Sequence, residues 1–154
     1  MADNTPAPYV MNVWYMAGWQ EEVDNADWLA RKLLDRNWLI FRKEDGSYAM
    51  IHDRCPHRFA PLSMGRRDGD TIACGYHGLR FDGTGRCIHN PFSDLIPPGA
   101  AVATCPVVAR HGIIWFWPGD PQAADPELIP ISRFWTIRNR WFVRPCGWTP
   151  ITNC

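Results

Sequence analysis

Short stretches of alternating apolar and polar residues run along most of the chain, and turn-forming residues separate them. Three pairs of these stretches have the lengths and intervening turns of β-hairpins. The pairs are 37–42 with 48–52, 79–81 with 86–89, and 107–110 with 113–117. In the third pair, the two-residue connection His111-Gly112 places glycine where a hairpin turn needs a positive φ. The one helix predicted is a short one within residues 24–34. The pattern therefore predicts an all-β fold, an antiparallel β-sandwich or a small barrel.

Composition agrees with one globular domain. The chain has 154 residues, enough to bury a proper core. Its 16 basic and 16 acidic residues give no overall electrostatic signal for nucleic acid. We expect no membrane span and a cytoplasmic location, because no apolar run approaches eighteen residues and the start lacks a signal-peptide pattern. Four of the 6 cysteines are expected to be buried or free thiols in a reducing compartment: Cys87, Cys105, Cys146 and Cys154.

The most informative chemistry lies in two short motifs, Cys55-Pro56-His57 and Cys74-Gly75-Tyr76-His77. Each motif offers one thiolate and one imidazole within a tight loop. A Rieske [2Fe–2S] centre binds one iron through two cysteines and the other through two histidines. Two neutral imidazoles leave the oxidised cluster uncharged, so its potential lies at roughly −150 to +300 mV, against about −400 mV for plant-type ferredoxins. The predicted cofactor and metal ligands are Cys55, His57, Cys74 and His77.

A structural zinc site is the alternative interpretation of these ligands. Zinc also accepts two cysteines and two histidines, but its usual loops pair like with like, as Cys-x(2–4)-Cys and His-x(3–5)-His. Here each loop pairs unlike ligands, which favours the iron–sulfur cluster. Visible absorption separates the two interpretations, since a zinc protein is colourless.

The residues around the ligands resemble the cluster loops of Rieske non-haem iron oxygenases of the vanillate and dicamba O-demethylase type. The resemblance is carried by residues 55–63 and 74–82, and it extends over about residues 10 to 130. It implies a Rieske-type antiparallel β-sandwich with two cluster-binding loops at one end. It also implies a mononuclear Fe(II) in a separate catalytic domain, held by two histidines and one carboxylate.

A second Rieske class, that of the bc complexes, fits less well. Its members carry an additional, disulfide-linked cysteine in each cluster loop and a serine that hydrogen-bonds a bridging sulfide. Here Arg58, Phe59 and Ala60 follow the first histidine, and Tyr76 and Leu79 occupy the second loop. Fewer hydrogen bonds to sulfur stabilise the reduced cluster less, so we expect a potential in the lower, oxygenase-like part of the range.

The resemblance divides the chain into three parts. These are a Rieske [2Fe–2S] domain over 10–118, a proline-rich linker over 119–135, and a truncated or diverged start of a catalytic domain over 136–154. The expected function is electron transfer, as the N-terminal module of an aromatic-compound Rieske oxygenase. Its expected partners are a reductase or ferredoxin donor and further oxygenase subunits. A stand-alone Rieske ferredoxin is the alternative, and whether the chain is itself an enzyme stays open.

Two further groups of residues bear on these expectations. Arg54, Arg58, Arg66, Arg67, Arg80 and Arg86 surround the two motifs in sequence. They form either a positively charged surface for docking an acidic reductase or only solvated loop surface.

The remaining histidines, His52, His89 and His111, have no partner at metal-ligand spacing. We therefore expect about two irons per chain, the content of one cluster, and no oxidation of an aromatic substrate by the isolated chain.

Overall fold

Strands dominate the computed structural model, which describes residues 9–130. One short helix, α1, covers Gln20–Asp24, and single 3₁₀ turns cover Leu62–Met64, Pro121–Ala123 and Pro126–Leu128. The strands in chain order are β1 (Tyr15–Trp19), β2 (Leu29–Leu33), β3 (Arg36–Arg42), β4 (Tyr48–His52), β5 (Arg66–Asp68), β6 (Thr71–Ala73), β7 (Arg80–Asp82), β8 (Cys87–His89), β9 (Val107–Arg110) and β10 (Ile113–Phe116).

These strands form three antiparallel sheets, ordered β1-β10-β9, β2-β3-β4 and β5-β6-β7-β8. The three hairpins predicted from sequence are all present, as β3–β4, β7–β8 and β9–β10. In the β9–β10 turn both His111 (φ 59°) and Gly112 (φ 76°) have positive φ, as a two-residue turn of the I′ kind requires. The predicted all-β antiparallel fold is confirmed.

The β2-β3-β4 sheet is central, and both of its faces are buried. Leu39 and Phe41 on β3 point into one core, which they share with residues of the β5–β8 sheet. Trp38 and Ile40 point into a second core, shared with β1 and β10. Because successive side chains of a strand face opposite sides, a strand buried on both faces needs an uninterrupted apolar run. This accounts for the four consecutive buried residues on β3.

The helix predicted within residues 24–34 is wrong. The helix ends at Asp24, and strand β2 occupies Leu29–Leu33. Pairing with β3 determines this outcome, since Leu29 lies opposite Ile40 and the burial of β2 alternates with the period of a strand. The turn that follows carries no glycine signal in the sequence, because Leu34 and Asp35 adopt its positive φ values, which leucine rarely does.

The chain after β10 returns to the first residues that the structure describes. The amide of Asn12 donates to the carbonyl of Pro118 (2.7 Å), and the Trp14 indole donates to the carbonyl of Asp125 (2.7 Å). Ile129 is buried.

The segment predicted to start a catalytic domain, 136–154, lies outside the described residues, as do Cys146 and Cys154. Over residues 9–130, no helix has the length and apolar character needed to cross a bilayer.

Candidate metal centre

The predicted ligands lie in two loops that start from different places in the fold. The Cys55 loop (residues 55–60) follows β4 and runs from the central sheet towards β5. The Cys74 loop (residues 74–79) is the turn between β6 and β7 within one sheet. Both cysteines belong to the same buried core cluster, so both loops begin inside the protein.

The two loops share one backbone hydrogen-bond pattern. In the Cys55 loop the amide of Cys55 donates to the carbonyl of Ala60, and the amide of Phe59 donates to the carbonyl of Cys55, both at 2.8 Å. The Cys74 loop repeats both bonds at the same offsets, at 2.8 and 2.9 Å. The fifth residue of each loop has positive φ, 60° at Phe59 and 79° at Gly78. The pattern brings both cysteines to equivalent backbone positions.

Two glycines hold the regions around the loops in backbone contact. A Cβ atom on Gly75 would lie 2.6 Å from the carbonyl oxygen of Met64, and one on Gly65 would lie 2.0 Å from that of Ala73. Neither distance is possible for a real side chain without moving backbone. Glycine at these positions therefore sets how closely the Cys74 loop approaches the segment that follows the Cys55 loop.

The two thiols form the buried end of the site. Cys55 is 2% exposed and Cys74 is 4% exposed. Burial is the largest influence on the Cys55 thiol and raises its pKa, and a hydrogen bond that the Cys55 thiol donates to the Cys74 sulfur raises the pKa further. The backbone amides of His57 and Arg58 act in the opposite direction. These amides are therefore placed to stabilise negative charge on the Cys55 sulfur.

The two imidazoles form the outer end of the site. The ring centroids of His57 and His77 are 4.7 Å apart, with an interplanar angle of 54°. His57 is exposed and His77 is half-buried. His77 also contacts Tyr76 (3.9 Å between ring centroids) and the edge of Phe92 (5.9 Å). These aromatic contacts restrict the orientation of the inner imidazole.

The structure thus pairs like side chains across the two loops, thiol with thiol and imidazole with imidazole. Among residues 9–130, no three His, Cys, Asp or Glu side chains converge on a point where a single metal ion would bind. A tetrahedral zinc site needs such convergence of all four ligands. Two separate pairs instead fit a binuclear centre, in which each iron takes one pair.

A buried carboxylate anchors the approach to the Cys55 loop. Asp53 accepts hydrogen bonds from the amide (2.7 Å) and the hydroxyl (2.6 Å) of Ser63, and its own amide donates to the carbonyl of Asn37 (2.9 Å). It ties the segments before and after the Cys55 loop together. Sequence reasoning missed Asp53 and Ser63. An aspartate just before a ligand loop, with a serine ten positions on, was the only available signal.

The other histidines, and the other cysteines within residues 9–130, belong to other elements of the fold. His52 packs against the edge of Trp38 (5.9 Å between ring centroids), His89 is exposed on β8, and His111 occupies the β9–β10 turn. Cys87 and Cys105 are free thiols, as expected from the sequence. Burial raises the pKa of the Cys105 thiol to about 11, so it is protonated at neutral pH.

Comparison with known proteins identifies the family. The model of the Rieske [2Fe-2S] domain family matches residues 13–106. This range contains both loops and more than half of the chain. The chain belongs to the Rieske [2Fe-2S] domain family, whose cofactor is a [2Fe–2S] cluster. The buried thiol pair and the outer imidazole pair are the donor set that such a cluster requires.

Two curated relatives refine this assignment. The chain is 46% identical over 120 residues to the chloroacetanilide N-alkylformylase oxygenase component of Rhizorhabdus wittichii, covering 78% of this chain and 34% of the relative. It is 46% identical over 123 residues to the dicamba O-demethylase oxygenase component of Stenotrophomonas maltophilia, covering 79% of this chain and 36% of the relative. The chain therefore spans little more than a third of the length of these relatives.

A solved structure confirms the fold. The crystal structure of dicamba monooxygenase bound to dicamba superposes with a TM-score of 0.74 at 46% sequence identity. The match covers 81% of this chain and 40% of that one. The predicted resemblance to Rieske oxygenases of the dicamba and vanillate O-demethylase type is confirmed, and it concerns one part of those proteins.

Proposed function

We propose that Cys55 and Cys74 bind one iron of a [2Fe–2S] cluster, that His57 and His77 bind the other, and that the chain transfers single electrons. The observation that carries this proposal is the pairing of like ligands across the two loops. A Rieske centre needs that division of ligands, and a single tetrahedral ion does not use it. When bound, the cluster accepts and releases one electron at a time.

The two ends of the site differ in their exposure to solvent. The thiol end is enclosed by the core, so water is excluded from the sulfur ligands. The imidazole end reaches the surface at His57, where a partner protein can approach the site. An exposed imidazole can also exchange a proton with solvent through the ring nitrogen that holds no metal. We therefore expect electrons to enter and leave through the imidazole end.

We further propose that the chain is an electron-transfer module of a multi-component oxygenase that acts on aromatic compounds. Similarity to two oxygenase components supports this proposal. The electron donor is a reductase or a ferredoxin. The module comprises residues 10–118, with a linker over 119–135 and the start of a catalytic domain over 136–154. A mononuclear Fe(II) belongs to that catalytic domain, and the protein is cytoplasmic.

Metal and sulfide analysis of purified protein tests the ligand assignment. We expect about two irons and two sulfides per chain, a red-brown colour, and a Rieske-type EPR spectrum after reduction. One zinc per chain in colourless protein would contradict the proposal. A plant-type EPR spectrum from protein with two irons would contradict the histidine assignment while leaving an iron–sulfur cluster in place.

A further inference from the structure

The arginines around the loops divide into two groups. Three of them make contacts within the domain. Arg80 pairs with Asp68 (2.6 Å), and Arg86 pairs with Asp82 (3.6 Å). Arg67 donates to backbone carbonyls, including that of Gly69 (2.8 Å). The other three have no carboxylate partner within residues 9–130. They are Arg54, Arg58 and Arg66. The charge available to another molecule therefore lies on the side of the Cys55 loop.

Arg54 shares a cavity of about 560 Å³ with Arg36 and His52. Arg36 likewise has no carboxylate partner in the described part of the chain. Two carboxylates also line the cavity. Asp35 is ion-paired with Lys32, whereas Asp53 is buried, accepts from Ser63 and keeps its negative charge. The cavity thus presents two unpaired guanidinium groups. Burial lowers the pKa of His52, and the charges of Arg36 and Arg54 lower it further against an opposing effect of Asp53.

An exposed aromatic ring stands at the rim of this cavity. Phe59 is 62% exposed, and the Arg54 guanidinium carbon lies 4.0 Å from its ring centroid. Phe59 lies in the Cys55 loop, two residues after His57. Arginine and aromatic side chains are enriched at protein interfaces and among the residues that dominate their binding energy. A small free anion would gain nothing from the exposed ring, whereas a protein surface would cover it.

A second cavity, lined in part by His57 itself, has a different character. Its volume is about 340 Å³, and its lining includes Pro56, Phe92 and Pro97 but no Asp, Glu, Lys or Arg. Phe92 is 70% exposed. The site thus has a charged flank at Arg54 and an apolar flank at Phe92. Charge speeds and orients brief encounters, whereas apolar surface characterises permanent contacts.

We propose that the surface formed by Arg36, Arg54 and Phe59 docks the electron donor, a protein with an acidic patch. This inference rests on the proposed function and specifies its partner. Acidic side chains enter the cavity between the two guanidinium groups, while an apolar donor residue covers the Phe59 ring. The donor is thereby held two residues from His57, at the end of the site where electrons enter.

The test uses a plant-type [2Fe–2S] ferredoxin as an acidic donor, because its potential of about −400 mV suffices to reduce a Rieske centre. Stopped-flow absorption measures the second-order rate of cluster reduction in wild-type protein and in Arg36→Glu/Arg54→Glu. The matched control is Arg42→Glu/Arg86→Glu, which changes net charge equally. Both of its arginines are exposed and already ion-paired. The EPR spectrum and redox potential confirm that each variant retains its cluster.

We expect Arg36→Glu/Arg54→Glu to lower the rate about tenfold or more at low salt, and the control pair to change it far less. The difference should shrink at about 0.5 M sodium chloride, where charges on opposing surfaces are screened. If glutamate at position 54 disturbs the adjacent Cys55, Arg36→Gln/Arg54→Gln replaces it, with an expected loss that is smaller but again salt-dependent.

Equal rates in the two charge-reversal variants, with the cluster intact, would overturn the docking proposal. So would saturable phosphate binding that depends on Arg36 and Arg54 while the ferredoxin rate does not, since the cavity would then be a small-anion site. Absence of a Rieske EPR signal in wild-type protein is a different failure, because it would refute the proposed function itself.

Discussion

The Cys55 loop connects two sheets, whereas the Cys74 loop is the turn of a hairpin within one sheet. Both nevertheless close with the same pair of backbone hydrogen bonds around their cysteine. The hairpin positions the Cys74 loop through the ladder of β6 and β7. The Cys55 loop lacks such a ladder, and the Asp53–Ser63 contact joins its two ends instead. Equivalent ligand positions are thus reached by different means, so the two loops should respond differently to mutation everywhere except at the cysteines.

The largest effect is expected at the residues where the loops are equivalent. Cys55→Ala and Cys74→Ala should each abolish the cluster, because one thiolate cannot hold an iron that needs two. Loss of visible absorption and of iron measures this outcome. Cys87→Ala, at another buried thiol of the same core, is the control and should keep both. Retention of a full cluster in either variant would show that the mutated cysteine is not a ligand and that the two loops are not equivalent.

The next effect should be confined to the Cys55 loop. Asp53→Ala removes the acceptor of two hydrogen bonds from Ser63 and should cost about 1–3 kcal/mol in the free energy of unfolding, since the part-buried amide and hydroxyl of Ser63 lose their partner. Asp45 is a matched control, because it accepts from the amide (2.8 Å) and hydroxyl (2.6 Å) of Ser47 in an exposed turn. Asp45→Ala should cost much less, as water replaces the lost acceptor.

Denaturant unfolding measures both variants, and limited proteolysis locates the change. We expect new cleavage between residues 54 and 64 in Asp53→Ala and unchanged protection of the Cys74 loop. Equal losses of stability in the Asp53 and Asp45 variants would show that the buried contact does not support the Cys55 loop.

The smallest effects concern the fifth residue of each loop, where φ is positive. Gly78→Ala should cost about 1 kcal/mol, because the left-handed conformation disfavours a Cβ atom although Pro91 leaves ordinary contact space at 3.4 Å. Phe59→Gly should change stability by less than about 0.5 kcal/mol, since relief of backbone strain offsets the lost contact with Arg54 and the added chain entropy. Thermal unfolding measures both. Similar losses in the two variants would contradict this assignment of strain.

The hairpins could be predicted from sequence, and the two motifs that carry the proposed ligands could be recognised there, because their signals are local. Alternation in β9 and β10, the His111-Gly112 turn and the spacing of Cys55 and His57 all lie within a few residues. Strand β2 could not be predicted, because its conformation depends on pairing with β3 and on a turn at Leu34 that has no glycine. Asp53 and the close approach at Gly75 were missed for a similar reason. Their partners, Ser63 and Met64, are brought near only by the fold.

The most direct test of the central claim counts the nitrogen ligands of the reduced cluster. Electron spin-echo or ENDOR spectroscopy of the reduced protein should detect two strongly coupled imidazole nitrogens, one from His57 and one from His77. His57→Cys should remove one coupling and lower the redox potential, because a thiolate adds negative charge where a neutral imidazole was bound. Two unchanged couplings and an unchanged potential in His57→Cys would contradict the assignment of His57 as a ligand and, with it, the pairing of like ligands across the two loops.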